Sequence, residues 1–206
     1  MGLFTRRSRG ADDRDPVVDW LVVGLGNPGE QYRNTRHNVG QAAIEELASR
    51  RAATLKAGKD HAMAAEIRLG DQRVAIAVPV TYMNESGRAV SALARRYRID
   101  DPERLVVVHD ELDLEPGVVR VKRGGGLAGH NGLRSITGQI STQDYLRIRI
   151  GVGKPPSKER GASHVLTKIS GRDQAVFDHA VSEAADAIET MIERGVDTAA
   201  QIHNAR

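Results

Sequence analysis

Apolar and polar positions alternate along this chain in two rhythms. The run 20–24 is apolar, rich in β-branched residues and closed by Gly24, the signature of a short buried strand. A polar loop follows to about residue 35. Over 38–51 the apolar positions Val39, Ala42, Ala43, Ile44 and Leu47 take the spacing of one helical face. Segments 61–69 and 73–79 read as a strand pair around the turn Gly70-Asp71. Residues 86–98 are helical, with Ala89, Val90, Leu93, Ala94 and Tyr97 on one face. The run 105–109 (LVVVH) is the clearest buried strand, and 118–122 alternates as an edge strand would. A glycine loop, 124–129, leads into a helix over 130–140. Residues 145–152 alternate again, which puts Arg147 and Arg149 on the same face. After a proline loop at 155–158 comes a long amphipathic helix, 172–194, and a short terminal one. Strands alternating with helices predict one α/β domain with a mixed or largely parallel sheet. No internal repeat is present.

Composition narrows the chemistry. The 206 residues suit one domain with its own core, and with aromatics at 3% that core must be aliphatic. Two Phe, four Tyr and one Trp supply no obvious platform for stacking single-stranded bases. Cysteine is absent, which excludes disulfides, thiolate nucleophiles and zinc–thiolate sites. No stretch approaches the roughly 20 apolar residues that span a bilayer. Residues 1–16 lack the apolar run of a secretory signal, and Asp12, Asp13 and Asp15 argue against a transit peptide. They are expected to form a mobile tail before a domain of residues 17–206, in a cytoplasmic protein.

Net charge is only +3, yet it is unevenly spread. Between 120 and 154 lie seven basic residues (Arg120, Lys122, Arg123, Arg134, Arg147, Arg149, Lys154) against one acid, Asp144. Between 178 and 197 lie six acids and one Arg. A basic half beside an acidic helix is suited to docking a polyanion on one face.

Two glycine loops invite a cofactor reading. Gly24-Leu-Gly26-Asn-Pro-Gly29 follows a strand as a dinucleotide fingerprint does. The helix whose N-terminus should face a pyrophosphate is missing, however, since Pro28 and the polar run 31–36 postpone helical periodicity by about ten residues. Gly124–Gly129 fits the same expression in a different context, with Lys122-Arg123 before it and His130-Asn131 after. Gly151-Val-Gly-Lys-Pro lacks the spacing and the hydroxyl of a P-loop. No cofactor is expected.

Polar residues suited to carbonyl and water chemistry cluster near the expected strand ends. Asn27 and His37 follow the first strand, Asn84 follows 73–79, Asp110 follows 105–109, and His130-Asn131 open a helix. In open α/β sheets, loops beyond the carboxyl ends of strands converge on ligands. Taken singly, each has a plainer role: His37 at a helix start, Asp110 in a turn, Asn84 or Ser86 as a helix cap, Met83 in the core.

Five stretches decide among these readings by occurring together and in order: Val23-Gly-Leu-Gly-Asn-Pro-Gly29, Thr35-Arg-His-Asn38, Pro79-Val-Thr-Tyr-Met-Asn84, His109-Asp-Glu-Leu-Asp113 and Gly124-Gly-Gly-Leu-Ala-Gly-His-Asn-Gly132. Together they resemble the bacterial-type peptidyl-tRNA hydrolase family over about residues 18–204, with 147–155 and His164-Val-Leu matching later landmarks. The resemblance implies a twisted mixed sheet flanked by helices, a monomer, and cleavage of the ester joining a peptide to the 3′-terminal ribose of tRNA. It implies that His37 is the catalytic base, that Asp110 orients and polarises it, and that Asn27, Asn84 and Asn131 hold the peptide carbonyl, the water and the terminal adenosine. Tyr32, Met83 and His130 fall among its substrate-contacting positions. Lys122 and Arg149 match positions that hold tRNA phosphate, with Arg120 beside them, so the implied partner is the acceptor stem and 3′ end.

The chemistry fits those side chains. An ester needs neither a metal nor a covalent nucleophile, and neutral imidazole can accept a water proton near neutral pH. A carboxylate on its other nitrogen would fix the tautomer and favour the imidazolium as it forms. Asn amides can donate to a developing oxyanion. Two positions depart from the family pattern: Val78, where Lys is common, and Glu85, where an apolar residue is usual. The alternative is an RNA-binding protein on the same scaffold without hydrolysis, which would have no need of a base.

Overall fold

The computed structural model describes residues 17–205, so the expected tail, 1–16, lies outside the described residues. One sheet carries strands β1 (Trp20–Gly24), β2 (Lys56–Ala57), β3 (Ala62–Leu69), β4 (Gln72–Pro79), β5 (Leu105–Glu111), β6 (Val119–Arg123) and β7 (Leu146–Gly151). Their spatial order is β2-β3-β4-β1-β5-β7-β6. The four central strands, β4-β1-β5-β7, run parallel, while β3 and β6 pair antiparallel at the two margins. The sheet is therefore mixed, and its parallel part is the middle.

Burial on both faces explains why the central strands are continuously apolar. On β1, Val22 packs into one core with Ile44, Leu47, Val106, Val108, Ile148 and Phe177. Leu21 and Val23 pack into the other with Leu93, Val107, Ile136 and Tyr145. Helices α1 (Val39–Arg50) and α5 (Arg172–Arg194) cover the first face, and α2 (Ser86–Tyr97) and α3 (Asn131–Ile140) cover the second. The short α4 (Gly161–Val165) and the terminal α6 (Val196–Asn204) complete the chain. No described helix is long and apolar enough to cross a membrane.

Two glycines set how closely helix meets sheet. A Cβ on Gly40, in the first turn of α1, would sit 2.3 Å from the Val108 carbonyl oxygen. The helix start is therefore pressed onto the middle of β5, two residues before Asp110. A Cβ on Gly87 would lie 2.1 Å from the Ser135 carbonyl oxygen, and the Gly87 amide donates to Ser135 Oγ at 3.0 Å. That contact draws the first turn of α2 against the middle of α3.

The expected elements lie within a residue or two of those observed, with three differences. Asp110 sits inside β5, because pairing with β7 continues through Asp110–Ile150 and Glu111–Gly151. β2 and α4 were absent from the pattern. Neither Asn84 nor Ser86 caps α2: Ser86 Oγ donates to the Met83 carbonyl oxygen instead, and Asn84 is exposed.

Candidate active site

Asp110 is buried, 3% exposed, and one of its oxygens takes two histidines. His37 Nδ1 lies 2.8 Å and His130 Nε2 2.9 Å from Oδ1. The tautomers follow from the remaining partners. His130 Nδ1 accepts the amide N–H groups of Gly132 (3.1 Å) and Leu133 (3.3 Å), capping α3, so its proton resides on Nε2 and is donated to Asp110. His37 Nδ1 likewise donates to the carboxylate, which leaves His37 Nε2 as a lone pair with no partner among the described residues. Burial alone would raise the Asp110 carboxyl, but the charge and hydrogen bonds of His130 and His37 outweigh it and hold the group well below the ordinary carboxylate range. Asp110 is thus a fixed anion across the neutral range.

Adjacent in sequence, His109 turns to the other side of the strand. It is 1% exposed, packs edge-on to His130 with ring centroids 5.1 Å apart, and its Nδ1 lies 2.7 Å from the Asp110 carbonyl oxygen. Burial, with the neighbouring His130, lowers its pKa to about 3, so the ring stays neutral, and Nε2 has no hydrogen-bond partner.

Asn27 is braced on three sides. Its amide donates to Asn38 Oδ1 at 2.9 Å, its carbonyl accepts from Asn38 Nδ2 at 2.9 Å, and its Oδ1 accepts the Met83 amide at 2.8 Å. With Oδ1 so committed, Nδ2 is the end left to donate. Met83 in turn abuts the start of α3, since a Cβ on Gly132 would lie 2.6 Å from its Sδ and 3.0 Å from His130 Cε1. Asn27, Met83, His130, Asp110 and His37 therefore form one contiguous set drawn from five segments. Asn38 and His109 were missed by the sequence reading. Asn38 stands in the Thr35–Asn38 motif beside His37, a signal that was available.

The loop carrying His37 is fastened from outside. Asn34 holds a left-handed backbone (φ 59°), and its Nδ2 donates to Ile169 O and Gln174 Oε1. Thr35 bridges to Lys168, and Arg36 pairs with Asp173 at 2.9 Å. The remaining expected residues stand nearby without joining the network. Tyr32 meets Tyr82 edge-on at 6.4 Å, and Tyr82, which sequence reasoning did not single out, is 54% exposed. Asn84 and Asn131 are exposed next to Met83 and His130, and Asn131 Oδ1 accepts from Arg134 at 3.1 Å. Val78 is buried in the first core, while Glu85 is exposed and pairs with Arg88 at 3.6 Å. Neither departure enters the network around Asp110.

The basic run is less free than its charge suggests. Register puts Arg120 opposite Arg149 and Lys122 opposite Arg147, so all four share one face. Arg149 lies 3.7 Å from Glu111, and Arg120 donates to the carbonyls of Val119 and His203. Arg123 pairs with Glu103 and Asp197, and Lys154 with Asp113. Arg147 is inside the protein, 1% exposed. Lys122 has no carboxylate at ion-pair distance among the described residues.

His37, Asp110 and His130 are also the one group among the described residues whose ligand atoms, within 4.8 Å of one another, have metal-site spacing. Their hydrogen bonds already account for those atoms: two N–H groups meet Oδ1, and His130 Nδ1 serves the backbone. Chemically, imidazoles on a buried carboxylate can hold a proton or pass one on.

The profile of the family described as Peptidyl-tRNA hydrolase matches residues 21–206. The chain belongs to the peptidyl-tRNA hydrolase family. A relative of that name from Kineococcus radiotolerans is 47% identical over 193 residues, covering 90% of this chain and 97% of its own. Another, from Pseudarthrobacter chlorophenolicus, is 48% identical over 184 residues, covering 88% and 93%. Among solved structures, the crystal structure of peptidyl-tRNA hydrolase from Acinetobacter baumannii superposes with a TM-score of 0.86 at 40% identity, covering 93% of this chain and 97% of that one. The family resemblance and the α/β fold expected from the sequence are both borne out.

Proposed function

We propose that this protein hydrolyses the ester between the peptide and the 3′-terminal ribose of peptidyl-tRNA, with His37 as general base. The observation that carries the reading is the His37 Nδ1–Asp110 hydrogen bond of 2.8 Å, which leaves Nε2 of a partly exposed ring as a proton acceptor. Water on Nε2 loses its proton as it attacks the ester carbonyl, and the buried carboxylate favours the imidazolium that forms. Asn27 Nδ2 donates to the oxygen that gains charge. As the tetrahedral intermediate collapses, the C–O bond to the ribose breaks, and the imidazolium returns its proton to the departing 3′-oxygen. The products are a free peptide acid and a tRNA hydroxyl, and no step calls for a metal. Asn84 and Asn131, exposed beside Met83 and His130, hold the water and the terminal adenosine. Tyr32, Arg120, Lys122 and Arg149 lie along the path of the acceptor stem. The setting is the cytoplasm, with a monomer acting on stranded peptidyl-tRNA.

The test is release of N-acetylated amino acid from its tRNA by purified protein in the presence of a chelator. Release in chelator supports the reading. Tight tRNA binding with no release would make the protein an RNA binder on the same scaffold, and release only after metal addition would overturn the metal-free mechanism.

A further inference from the structure

Arg147 is a buried cation without a carboxylate. Its guanidinium donates to Gly126 O and Gly125 O at 2.7 Å each and reaches Gln143 O at 3.4 Å, with the Tyr145 ring 4.8 Å away. Burial lowers its pKa from the arginine range. Burying a charge on backbone carbonyls alone costs several kcal/mol in desolvation, more than a surface loop needs for order. What the contact does fix is the direction of two consecutive peptide groups. The described residues contain no cis peptide bond, and in a trans peptide the N–H points away from the C=O. With the carbonyls of Gly125 and Gly126 turned inward to Arg147, the N–H groups of Gly126 and Leu127 must face outward. Neither has a hydrogen-bond partner among the described residues. Gly124 and Gly125 have φ of 48° and 95°, left-handed conformations that glycine adopts most readily, so the chain can turn tightly into these two peptides. Beside them lies Lys122, whose Nζ would be 2.8 Å from a Cβ on Gly125.

We infer that Arg147 builds an anion site from beneath: the outward amides of Gly126 and Leu127, with the Lys122 ammonium, receive one phosphodiester of the RNA backbone. Arg147 is a positioning residue there and touches no ligand. The nature of the polyanion rests on the tRNA reading above, while the site itself rests on the loop and its buried cation.

Amide resonances of the full-length wild-type protein, followed as an acceptor-stem RNA duplex is added, test this directly. The Gly126 and Leu127 amides are expected to shift at saturation. Arg147→Lys, which can reach fewer carbonyls, is expected to abolish those shifts and weaken RNA binding about tenfold, the loss of roughly one charged hydrogen bond. That loss should exceed its effect on turnover of a minimal N-blocked aminoacyl-adenosine ester. Silent Gly126 and Leu127 amides while Lys122 and its neighbours shift would overturn the inference alone. No shift anywhere would sink the tRNA reading itself. Shifts with inorganic phosphate but none with RNA, or equal losses on both substrates, would also reject the proposed role.

Discussion

The two polar regions of this molecule handle charge in opposite ways. Around Asp110 one buried anion takes two imidazole donors on a single oxygen, and the backbone amides on the far side of His130 fix which of its nitrogens donates. Along β6 and β7 a dense row of cations is mostly consumed by the protein itself: Arg149 by Glu111, Arg123 by Glu103 and Asp197, and Arg120 and Arg147 by carbonyls. The first region was chemically legible because residue type determines what imidazole beside carboxylate can do. In the second, counting charges overstated the free surface and concealed that one arginine supports the loop above it. The comparison teaches that a charge pattern measures electrostatic potential, whereas function depends on where each charge ends.

The largest effect should come from the anion. Asp110→Asn leaves the shape nearly intact but removes the negative charge that favours the imidazolium and brings in an N–H that competes for the histidines, and kcat on blocked aminoacyl-tRNA should fall by about 10² to 10⁴ while tRNA affinity holds. A loss confined to KM would instead place Asp110 among the binding groups. Packing that sets the site should matter next. Gly40→Ala drives a Cβ into the Val108 carbonyl, and a destabilisation of about 1–3 kcal/mol by denaturant titration is expected, with α1 and His37 displaced. Unchanged stability would mean that helix and strand can separate freely.

Smaller effects sharpen the cationic side of the comparison. Lys122→Ala should weaken tRNA binding more than Arg149→Ala, because Arg149 already faces Glu111. It should also reduce the slope of log affinity against log salt by about one contact. Equal slopes in all three proteins would dismiss Lys122 as a phosphate contact. His109 yields the subtlest test. Its folded pKa of about 3 is below its unfolded value, so below pH 6.5 the unfolded chain gains a proton that the folded chain refuses. Stability from this group is complete above that range and lost as pH falls towards 3. Asp110, also depressed, adds a further loss as pH falls below the ordinary carboxylate range. His109→Asn keeps a donor for the Asp110 carbonyl but cannot titrate, so its acid-unfolding curve should be flatter between pH 6.5 and 3. An identical curve would show that His109 is not held neutral.

Periodicity carried most of the fold. Ala89, Val90, Leu93 and Ala94 repeat at helical spacing, and 105–108 is apolar because the strand is covered on both faces. What periodicity could not convey was non-local. The pattern ends the strand at His109 and puts Asp110 just beyond it, yet Asp110 lies in β5 because β7 pairs with it, a fact of register absent from residues 105–113 alone. β2 spans two residues and α4 five, too short for any repeat to show. At the site, His37 and Asp110 were identifiable through motifs, whereas the Asn38 brace, the second histidine on the same oxygen and the sealing of Arg147 required partners 11, 20 and 21 residues away.

The mechanism turns on His37 Nε2 taking the proton of the attacking water. Single-turnover cleavage of N-acetylaminoacyl-tRNA by saturating His37→Ala, measured beside its tRNA affinity, tests this most directly. Cleavage should slow by about 10² to 10⁴ with affinity essentially unchanged. Cleavage at the wild-type rate by the variant would contradict it.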